Sequence, residues 1–282
     1  MILFQSHLVS PPIIEEFAKI RVAGSGWGET VFLYHQKSEN IPSSLGELDY
    51  YAFTDESLNA LHYPMIGAKL VPGHAQFPLL QFFRERADYD YYWFVEYDVR
   101  FSGDWRFFFD TFAANQADFL TCNIRSYEEE PDWWWWALHH PRKAIPAFAR
   151  LHSFNTVYRL SRSALDFLHQ SLLSGWCGHH EVMMATVLYE SGFRIEDIGG
   201  RGRFTPPGRE GLFYTSSATN RRGLLKSGTM RFRPSFWKVG PEKNKLYHPV
   251  KPLSLIWRNK IDYLMAIDWP LIKRRFSSKR FP

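Results

Sequence analysis

The chain has 282 residues, of which 45% are hydrophobic and 22% charged, the balance of a globular protein with room for one large α/β domain. Two cysteines, Cys122 and Cys177, argue against a disulfide scaffold and a zinc ribbon. The sequence contains neither a signal-peptide pattern nor a window of ~20 apolar residues that could span a bilayer. We therefore expect a cytoplasmic protein, soluble or peripheral on the inner face of a membrane.

The net charge of +5 is concentrated at the C-terminus. Residues 251–282 hold eight lysines and arginines against two aspartates, an excess of about +6, so the rest of the chain is close to neutral. A nucleic-acid-binding domain spreads its cations over a groove, so we expect no nucleic-acid partner. Apolar residues in 263–272 precede Lys273-Arg274-Arg275, as in interfacial anchors. We predict a basic amphipathic tail that contacts an anionic membrane surface, or alternatively packs back on the domain.

Strands and helices alternate along the predicted chain. The predicted strands are Ile2–Phe4, Val31–Tyr34, Tyr50–Phe53, Tyr89–Phe101, Asp118–Asn123, Thr156–Leu160 and Arg194–Ile198. The predicted helices are Ile13–Val22, Gln76–Ala87, Phe107–Ala113, Ser163–Leu173 and Val182–Glu190. Residues from about 199 to 245 are rich in Gly, Arg, Pro and Ser and are predicted to be loops. This alternation indicates an α/β sheet with helices on both faces.

Two carboxylates lie near the end of the most strongly predicted strand, Tyr89–Phe101. Glu96 and Asp98 are two residues apart, which on a strand places them on the same face. Burying two such charges costs several kcal/mol unless a cation offsets them. Carboxylate oxygens suit Mg²⁺ or Mn²⁺, and ligands of open α/β sheets bind at the carboxyl ends of the strands. The alternative is a solvated strand end with two exposed acids.

The segment Glu96-Tyr97-Asp98 resembles the acid-x-Asp motif of the GT-A glycosyltransferases. The resemblance implies that Asp98 is a ligand of Mn²⁺ or Mg²⁺, and that Glu96 supports donor binding near the ribose or a metal-bound water. It also implies an α/β GT-A fold, in which a Rossmann-like nucleotide-sugar half over about 1–101 and an acceptor half over 102–250 share one mixed sheet. The tail, 251–282, would follow this single catalytic domain.

A second segment carries a candidate base. Gly175 and Gly178 allow a loop to approach a ligand, and Glu181 follows at a helix start, where free N–H groups favour an acid. This is similar to the glycine loop and acidic motif that supply the general base of inverting GT-A enzymes, although His180-Glu181 replaces the usual Glu-Asp pair. The resemblance implies that Glu181 is the base and that His180 contacts the acceptor. A helix cap beside two surface histidines is the alternative.

Two further residues are assigned through the same resemblance. Many metal-dependent GT-A enzymes complete the metal site with a histidine near the end of the domain, which implies a ligand role for His248. An imidazole beside a carboxylate favours Mn²⁺ over Mg²⁺. Asp55, at the end of an early strand, is implied to contact the base or ribose of the donor. A structural or surface role is the alternative for His248.

Four consecutive tryptophans follow the acidic segment Glu128–Asp132. Four adjacent indoles on one strand or helix cannot all point into one core, so some should line a cleft, where their flat faces suit the C–H faces of sugars. The resemblance places acceptor-binding segments in this part of the chain. We predict acceptor contacts from Trp133, Trp134, Trp135 and Trp136, with a packing or membrane-interface cluster as the alternative.

The whole sequence predicts an inverting, metal-dependent glycosyltransferase. The expected donor is a nucleotide-sugar such as a UDP-sugar, the acceptor is a glycan or lipid-linked hydroxyl, and a bacterial surface-polysaccharide enzyme fits this description. One alternative is another metal-dependent nucleotide-sugar enzyme such as a nucleotidyltransferase, but the basic phosphate loop of that class is not matched by Gln5-Ser6-His7-Leu8. The other alternative is a non-catalytic glycan-binding protein that uses the tryptophans.

Overall fold

The computed structural model of the chain describes residues 1–67, 70, 73–215 and 227–251. Beyond Lys251, the predicted C-terminal tail lies outside the described residues, so its membrane contact stays a prediction. No helix in the described part of the chain is long and apolar enough to cross a membrane. The strands are β1 Ile2–Ser6, β2 Thr30–His35, β3 Tyr50–Phe53, β4 Tyr91–Glu96, β5 Arg100–Phe101, β6 Phe119–Ser126, β7 Leu138–His139, β8 Leu151–Ser161, β9 Cys177–Gly178, β10 Ile195–Asp197 and β11 Leu246–Tyr247.

Seven of these strands form one mixed sheet in the order β10-β6-β8-β4-β1-β2-β3. Strand β1 is parallel to both β2 and β4, and β2 is parallel to β3. Strand β8 runs antiparallel between β4 and β6, whereas β10 is parallel to β6. The expected α/β fold, with a Rossmann-like part joined to a second part around one mixed sheet, is confirmed. The strand order reverses between β1 and β4, which leaves a crevice at their carboxyl ends.

The helices cover both faces of the sheet, as predicted. Helices α1 and α4 pack on one face, in a core that contains Phe17 and Phe108. The other face carries α3, α5 and α6, in a core that contains Leu80, Leu168 and Met184. Burial of these apolar side chains, at about 25 cal/mol per Å², is the main term that stabilises the layers. The helix bounds are α1 Pro11–Gly24, α2 Asp55–Asn59, α3 Phe77–Glu85, α4 Trp105–Thr111, α5 Arg162–Ser174 and α6 His180–Glu190.

The predicted strand Tyr89–Phe101 is wrong in its second half. Strand β4 ends at Glu96, and the backbone then turns, with the Val99 N–H donating to the Glu96 carbonyl at 3.0 Å. The next residues form β5, which pairs antiparallel with β11, and the Asp98 carbonyl accepts a hydrogen bond from the Val250 N–H at 2.7 Å. The two acids are therefore brought together by a turn and not by a shared strand face.

Strand β8 is longer than the predicted segment Thr156–Leu160. Every residue of β8 is buried, including polar ones such as His152, Ser153 and Asn155. These polar residues interrupt the apolar pattern on which the strand prediction depends, and several of them line the cleft described below. Strands β7 and β9 and helix α2 were also absent from the sequence prediction because each is very short.

Candidate active site

A cleft of about 550 Å³ opens at the carboxyl ends of β1 and β4, in the crevice where the strand order reverses. One end is lined by Glu96, Tyr97 and Asp98 and by His248, Pro249 and Lys251. Trp133, Trp134 and Trp135 form another part of its wall, and Glu181 at the start of α6 also lines the cleft. Eight of the ten predicted site residues, all except Asp55 and Trp136, thus line one cavity.

Two acids and a histidine converge at the first end. One ligand atom from each of Glu96, Asp98 and His248 lies within 4.8 Å of the other two, the one such group among the described residues. The Nε2 atom of His248 is 3.4 Å from Asp98 Oδ1 and 3.6 Å from Glu96 Oε2. Asp98 and His248 are buried, and Glu96 is partly exposed. The structure therefore brings together the three residues that the sequence analysis assigned to metal and donor binding.

The orientation of His248 leaves one ring nitrogen for a ligand. Its Nδ1–H donates to the Arg231 carbonyl at 2.8 Å, because a carbonyl oxygen can only accept. The Nε2 atom then faces the two carboxylates, the arrangement in which an outer partner fixes the ring of a metal-binding histidine. Asp98 Oδ1 is buried yet accepts no hydrogen bond from the described residues. A buried carboxylate oxygen beside a second acid and an imidazole fits Mn²⁺, which takes oxygen and nitrogen ligands.

The charges at this end compensate one another. Burial alone would raise the pKa of Asp98, but the charges of His248 and Lys251 outweigh it and hold that pKa well below its usual range. Burial alone would lower the pKa of His248, but Asp98 and then Glu96 raise it to about 9. Burial raises the pKa of Glu96. Without a divalent cation, an imidazolium and an ammonium supply the positive charge, so metal binding should release the His248 proton.

Lys251 is a cleft residue that the sequence analysis did not assign to the site. It was assigned to the tail, but its Nζ lies 3.3 Å from Asp98 Oδ2 and its side chain lines the cleft. Residues 5–7, at the end of β1, also line the cleft beside the two acids and were not assigned to the site either. The available signal for Lys251 was its position three residues after His248, and for residues 5–7 it was their place at the end of the first strand.

Glu181 lies in the first turn of α6. His179 is the N-cap of this helix, and its Nδ1 accepts a hydrogen bond from the Glu181 N–H at 3.4 Å. The Ser153 hydroxyl donates to the Glu181 carbonyl at 3.4 Å, which ties the start of α6 to β8. Burial raises the pKa of the Glu181 carboxyl to about 8. A carboxyl with such a pKa can exchange a proton near neutral pH, as a general acid or base must.

The two histidines before Glu181 are not surface residues, so that part of the alternative is wrong. His179 and His180 are both buried and both line the cleft. Burial lowers the pKa of His179 to about 3 and places the pKa of His180 well below its usual range, so both rings are neutral at pH 7. The backbone N–H of His180 donates to the Gly73 carbonyl at 2.8 Å.

Three of the four tryptophans form an aromatic wall, defined as Trp133, Trp134 and Trp135. Trp134 is 57% exposed, whereas the Trp135 ring stacks on His179 with centroids 5.1 Å apart. The structure does not bring Trp136 to the cleft, contrary to the predicted acceptor contact. Its side chain is buried and its indole N–H donates to the Glu130 carbonyl at 2.9 Å. Turns in this loop, rather than a strand or helix, point the four rings in different directions.

Asp55 is the first residue of α2 and does not line the cleft. Its Oδ1 lies 2.9 Å from the Nε2 of His35, at the carboxyl end of β2. The Asp55 side chain is 65% exposed, and the His35 ring stacks on Phe53. A donor contact from Asp55 therefore stays a prediction.

Comparisons with known proteins give a limited picture. No protein-family model and no curated protein matches the chain. One similar solved structure is described as a glucose-1-phosphate thymidylyltransferase from Bacillus anthracis, with 12% identity, a TM-score of 0.41, and coverage of 71% of this chain and 87% of that one. Another is the inositol-1-phosphate CTP transferase from T. maritima, with 7% identity, a TM-score of 0.40, and coverage of 73% and 89%. Both are nucleotidyltransferases, the class given above as an alternative, and neither is described as a glycosyltransferase. At TM-scores this low, the likeness carries no conclusion about activity.

Proposed function

We propose that this chain is a metal-dependent enzyme that acts on a nucleotide-sugar and transfers the sugar to an acceptor hydroxyl. The observation that carries the proposal is the convergence of Glu96, Asp98 and His248 at the crevice between β1 and β4. Ligands of open α/β sheets bind at such a reversal of strand order. Glu181 and the aromatic wall line the same cleft, so donor and acceptor groups would lie in one cavity.

The donor would bind at the metal end of the cleft. Asp98 and His248, supported by Glu96, would hold Mn²⁺ or Mg²⁺, which when bound neutralises charge on a leaving diphosphate. The ammonium of Lys251 lies beside Asp98 and would add a second positive charge for the phosphates. Residues 5–7, at the end of β1, would contact the nucleotide because they line the cleft next to the acids.

The acceptor would approach from the side of Glu181 and the aromatic wall. The Glu181 carboxylate would take the proton of the acceptor hydroxyl. The oxygen of that hydroxyl would bond to the anomeric carbon of the donor sugar while the bond between this carbon and the diphosphate breaks. A single displacement of this kind inverts the anomeric configuration. Because the pKa of Glu181 is raised to about 8, the basic form increases as the pH rises toward and past that value.

Nucleotidyl transfer, the alternative given in the sequence analysis, is the second candidate. It would require positive charge around a nucleoside triphosphate near the end of β1. Residues 5–8 contain no Lys or Arg, and the Ser6 hydroxyl bonds to the backbone of Leu8 instead of projecting free. The acid at the start of α6 and the aromatic wall have a direct use in transfer to a sugar hydroxyl, which favours the first candidate.

The products of the reaction distinguish the candidates. The purified chain would be incubated with Mn²⁺, a panel of nucleotide-sugars and glycan acceptors, and release of nucleoside diphosphate would be measured. A parallel incubation with nucleoside triphosphates and sugar 1-phosphates would measure pyrophosphate. Diphosphate release that requires Mn²⁺ and Asp98 is the expected result. Pyrophosphate release would establish nucleotidyl transfer, and metal-independent glycan binding without either product would establish a binding protein.

A further inference from the structure

The aromatic wall is fixed from behind by a buried hydrogen-bonded pair, His152 and Glu130. The Trp133 ring stacks on His152, with centroids 4.3 Å apart and an interplanar angle of 7°. The Nε2 of His152 lies 2.9 Å from Glu130 Oε2, and both side chains are almost fully buried. Trp136 packs edge-on against Trp133 and donates to the Glu130 carbonyl. These contacts hold the Trp133 ring in one orientation, so the wall is preorganised for a ligand.

Two ring nitrogens beside the wall have no hydrogen-bond partner in the described part of the chain. They are Nδ1 of His152 and Nδ1 of His180, and both residues are buried and line the cleft. The Glu130 carboxylate can only accept, so Nε2 of His152 donates to it, which fixes the orientation of the His152 ring behind Trp133.

The charges around the wall disfavour a negative ligand. Glu128, Glu129 and Asp132 are exposed on the loop that leads into it. The cations that line the cleft within the described ranges, Arg233 and Lys251, belong instead to the segment around His248. An anion at the wall would lose hydration and meet acids in place of a cation, which is unfavourable.

We propose that the aromatic wall binds an uncharged, hydroxyl-bearing sugar ring of the acceptor and excludes acidic sugars. The apolar face of the ring packs on Trp134 and Trp135, the partly exposed faces of the wall. Glu130 and His152 are positioning residues that fix Trp133. The role of this sugar as the acceptor rests on the proposed function, whereas the binding of a neutral sugar at the wall does not.

Matched small probes test this proposal. Saturation-transfer NMR would be recorded on the full chain with methyl glycosides of glucose, galactose and mannose, and with the methyl glycosides of the corresponding uronic acids. At least one neutral glycoside should bind about tenfold or more tightly than its uronate, with the strongest transfer to its C–H face. Trp135→Ala should weaken that binding about tenfold. Trp237→Ala should leave it unchanged, because Trp237 is 60% exposed and lies outside the cleft.

Calorimetry with Mn²⁺ and UDP on the same samples separates this proposal from the proposed function. A uronate that binds as tightly as its neutral partner would overturn the inference, as would the absence of binding by every neutral glycoside. An unchanged affinity in Trp135→Ala would also overturn it, provided that the variant still folds by circular dichroism. If the wild-type chain binds a neutral glycoside at the wall but does not bind UDP with Mn²⁺, the inference stands and the proposed function fails.

Discussion

The two ends of the cleft differ in the kind of ligand that they can stabilise. At the metal end, two acids face an imidazole and an ammonium, which lie 3.4 Å and 3.3 Å from the two oxygens of Asp98. At the aromatic end, the surfaces offered are indole faces and neutral imidazoles, and the buried acid Glu130 is already paired with His152. The first end suits a cation with phosphates and the second an uncharged ring. Glu181 lies within electrostatic range of both.

The largest effect is expected from Asp98→Asn at the metal end. The substitution keeps the shape of the side chain but removes its charge, so binding of UDP with Mn²⁺ should weaken about 100-fold or more, on the order of 3 kcal/mol. Calorimetry with and without Mn²⁺ measures this loss. Asp166→Asn, an exposed position on α5, is the control and should behave as wild type. Unchanged affinity in Asp98→Asn would remove the metal assignment.

The next prediction concerns Glu181, whose substitution should lower kcat. Glu181→Gln removes the basic oxygen with almost no change in volume, so kcat should fall by about 10²–10⁴. The affinity for UDP with Mn²⁺ should stay within about twofold, because the metal end is untouched. Glu190→Gln, at the exposed end of the same helix, is the matched control. Loss of UDP binding in Glu181→Gln would place Glu181 in the donor site, and a product that retains the anomeric configuration would exclude the single displacement.

The pH dependence of Glu181 can be predicted with its sign. Besides burial, its carboxyl responds to the charges of Glu96, His248 and Glu130, and His179 caps the same turn. Because the pKa of Glu181 is raised to about 8, the rate should rise with pH up to about that value and then level off. This rise should be absent in Glu181→Gln. A wild-type profile that is flat between pH 6 and pH 9 would contradict the assignment.

The same pKa shift makes a prediction about stability. Between the ordinary glutamate pKa and about 8, the folded chain binds more protons at Glu181 than the unfolded chain, so its contribution to stability falls as the pH rises. At pH 9 the free energy of unfolding of Glu181→Gln should therefore exceed that of the wild type by on the order of 3 kcal/mol, and at pH 4 the two should differ little. Urea denaturation at both pH values measures this difference. Equal stability of the two proteins at pH 9 would show that the carboxyl is not destabilised by burial.

Much of the fold follows from local pattern, whereas the assembly of the site depends on long-range pairing. The strand Tyr50–Phe53 was predicted with its observed bounds because its composition is typical of a strand and the polar pair Thr54-Asp55 follows. Strands β5 and β11 have two residues each, so no periodicity could reveal the pairing that brings His248 to Asp98. That proximity was predicted only through a resemblance.

The aromatic end was harder to predict than the metal end. Four identical residues in a row give no information on which rings face the cleft, since this depends on turns and on packing partners elsewhere in the chain. Trp136 is buried because its indole N–H reaches the Glu130 carbonyl. His152 was missed because a polar residue in a buried strand interrupts the apolar pattern, although this interruption is itself a usable signal of a cleft.

The smallest effect is expected at the buried pair behind the aromatic wall. His152→Phe keeps a ring for Trp133 to stack on but removes the nearest donor to the Glu130 carboxylate, so the free energy of unfolding should fall by about 1–3 kcal/mol. Urea denaturation measures this change. The double variant Glu130→Leu with His152→Phe should recover part of the loss, because apolar replacement of a whole buried pair is often tolerated.

Kinetics then separate a positioning role from a purely structural one. If the pair positions Trp133 for the acceptor, His152→Phe should raise the acceptor KM several-fold, while kcat and the affinity for UDP with Mn²⁺ change little. Glu130→Gln, which can still accept the hydrogen bond from His152, should stay close to wild type in both constants. Equal losses in kcat and in UDP affinity would mean that the substitution disturbs the whole cleft, and the metal and aromatic ends would then not be independent.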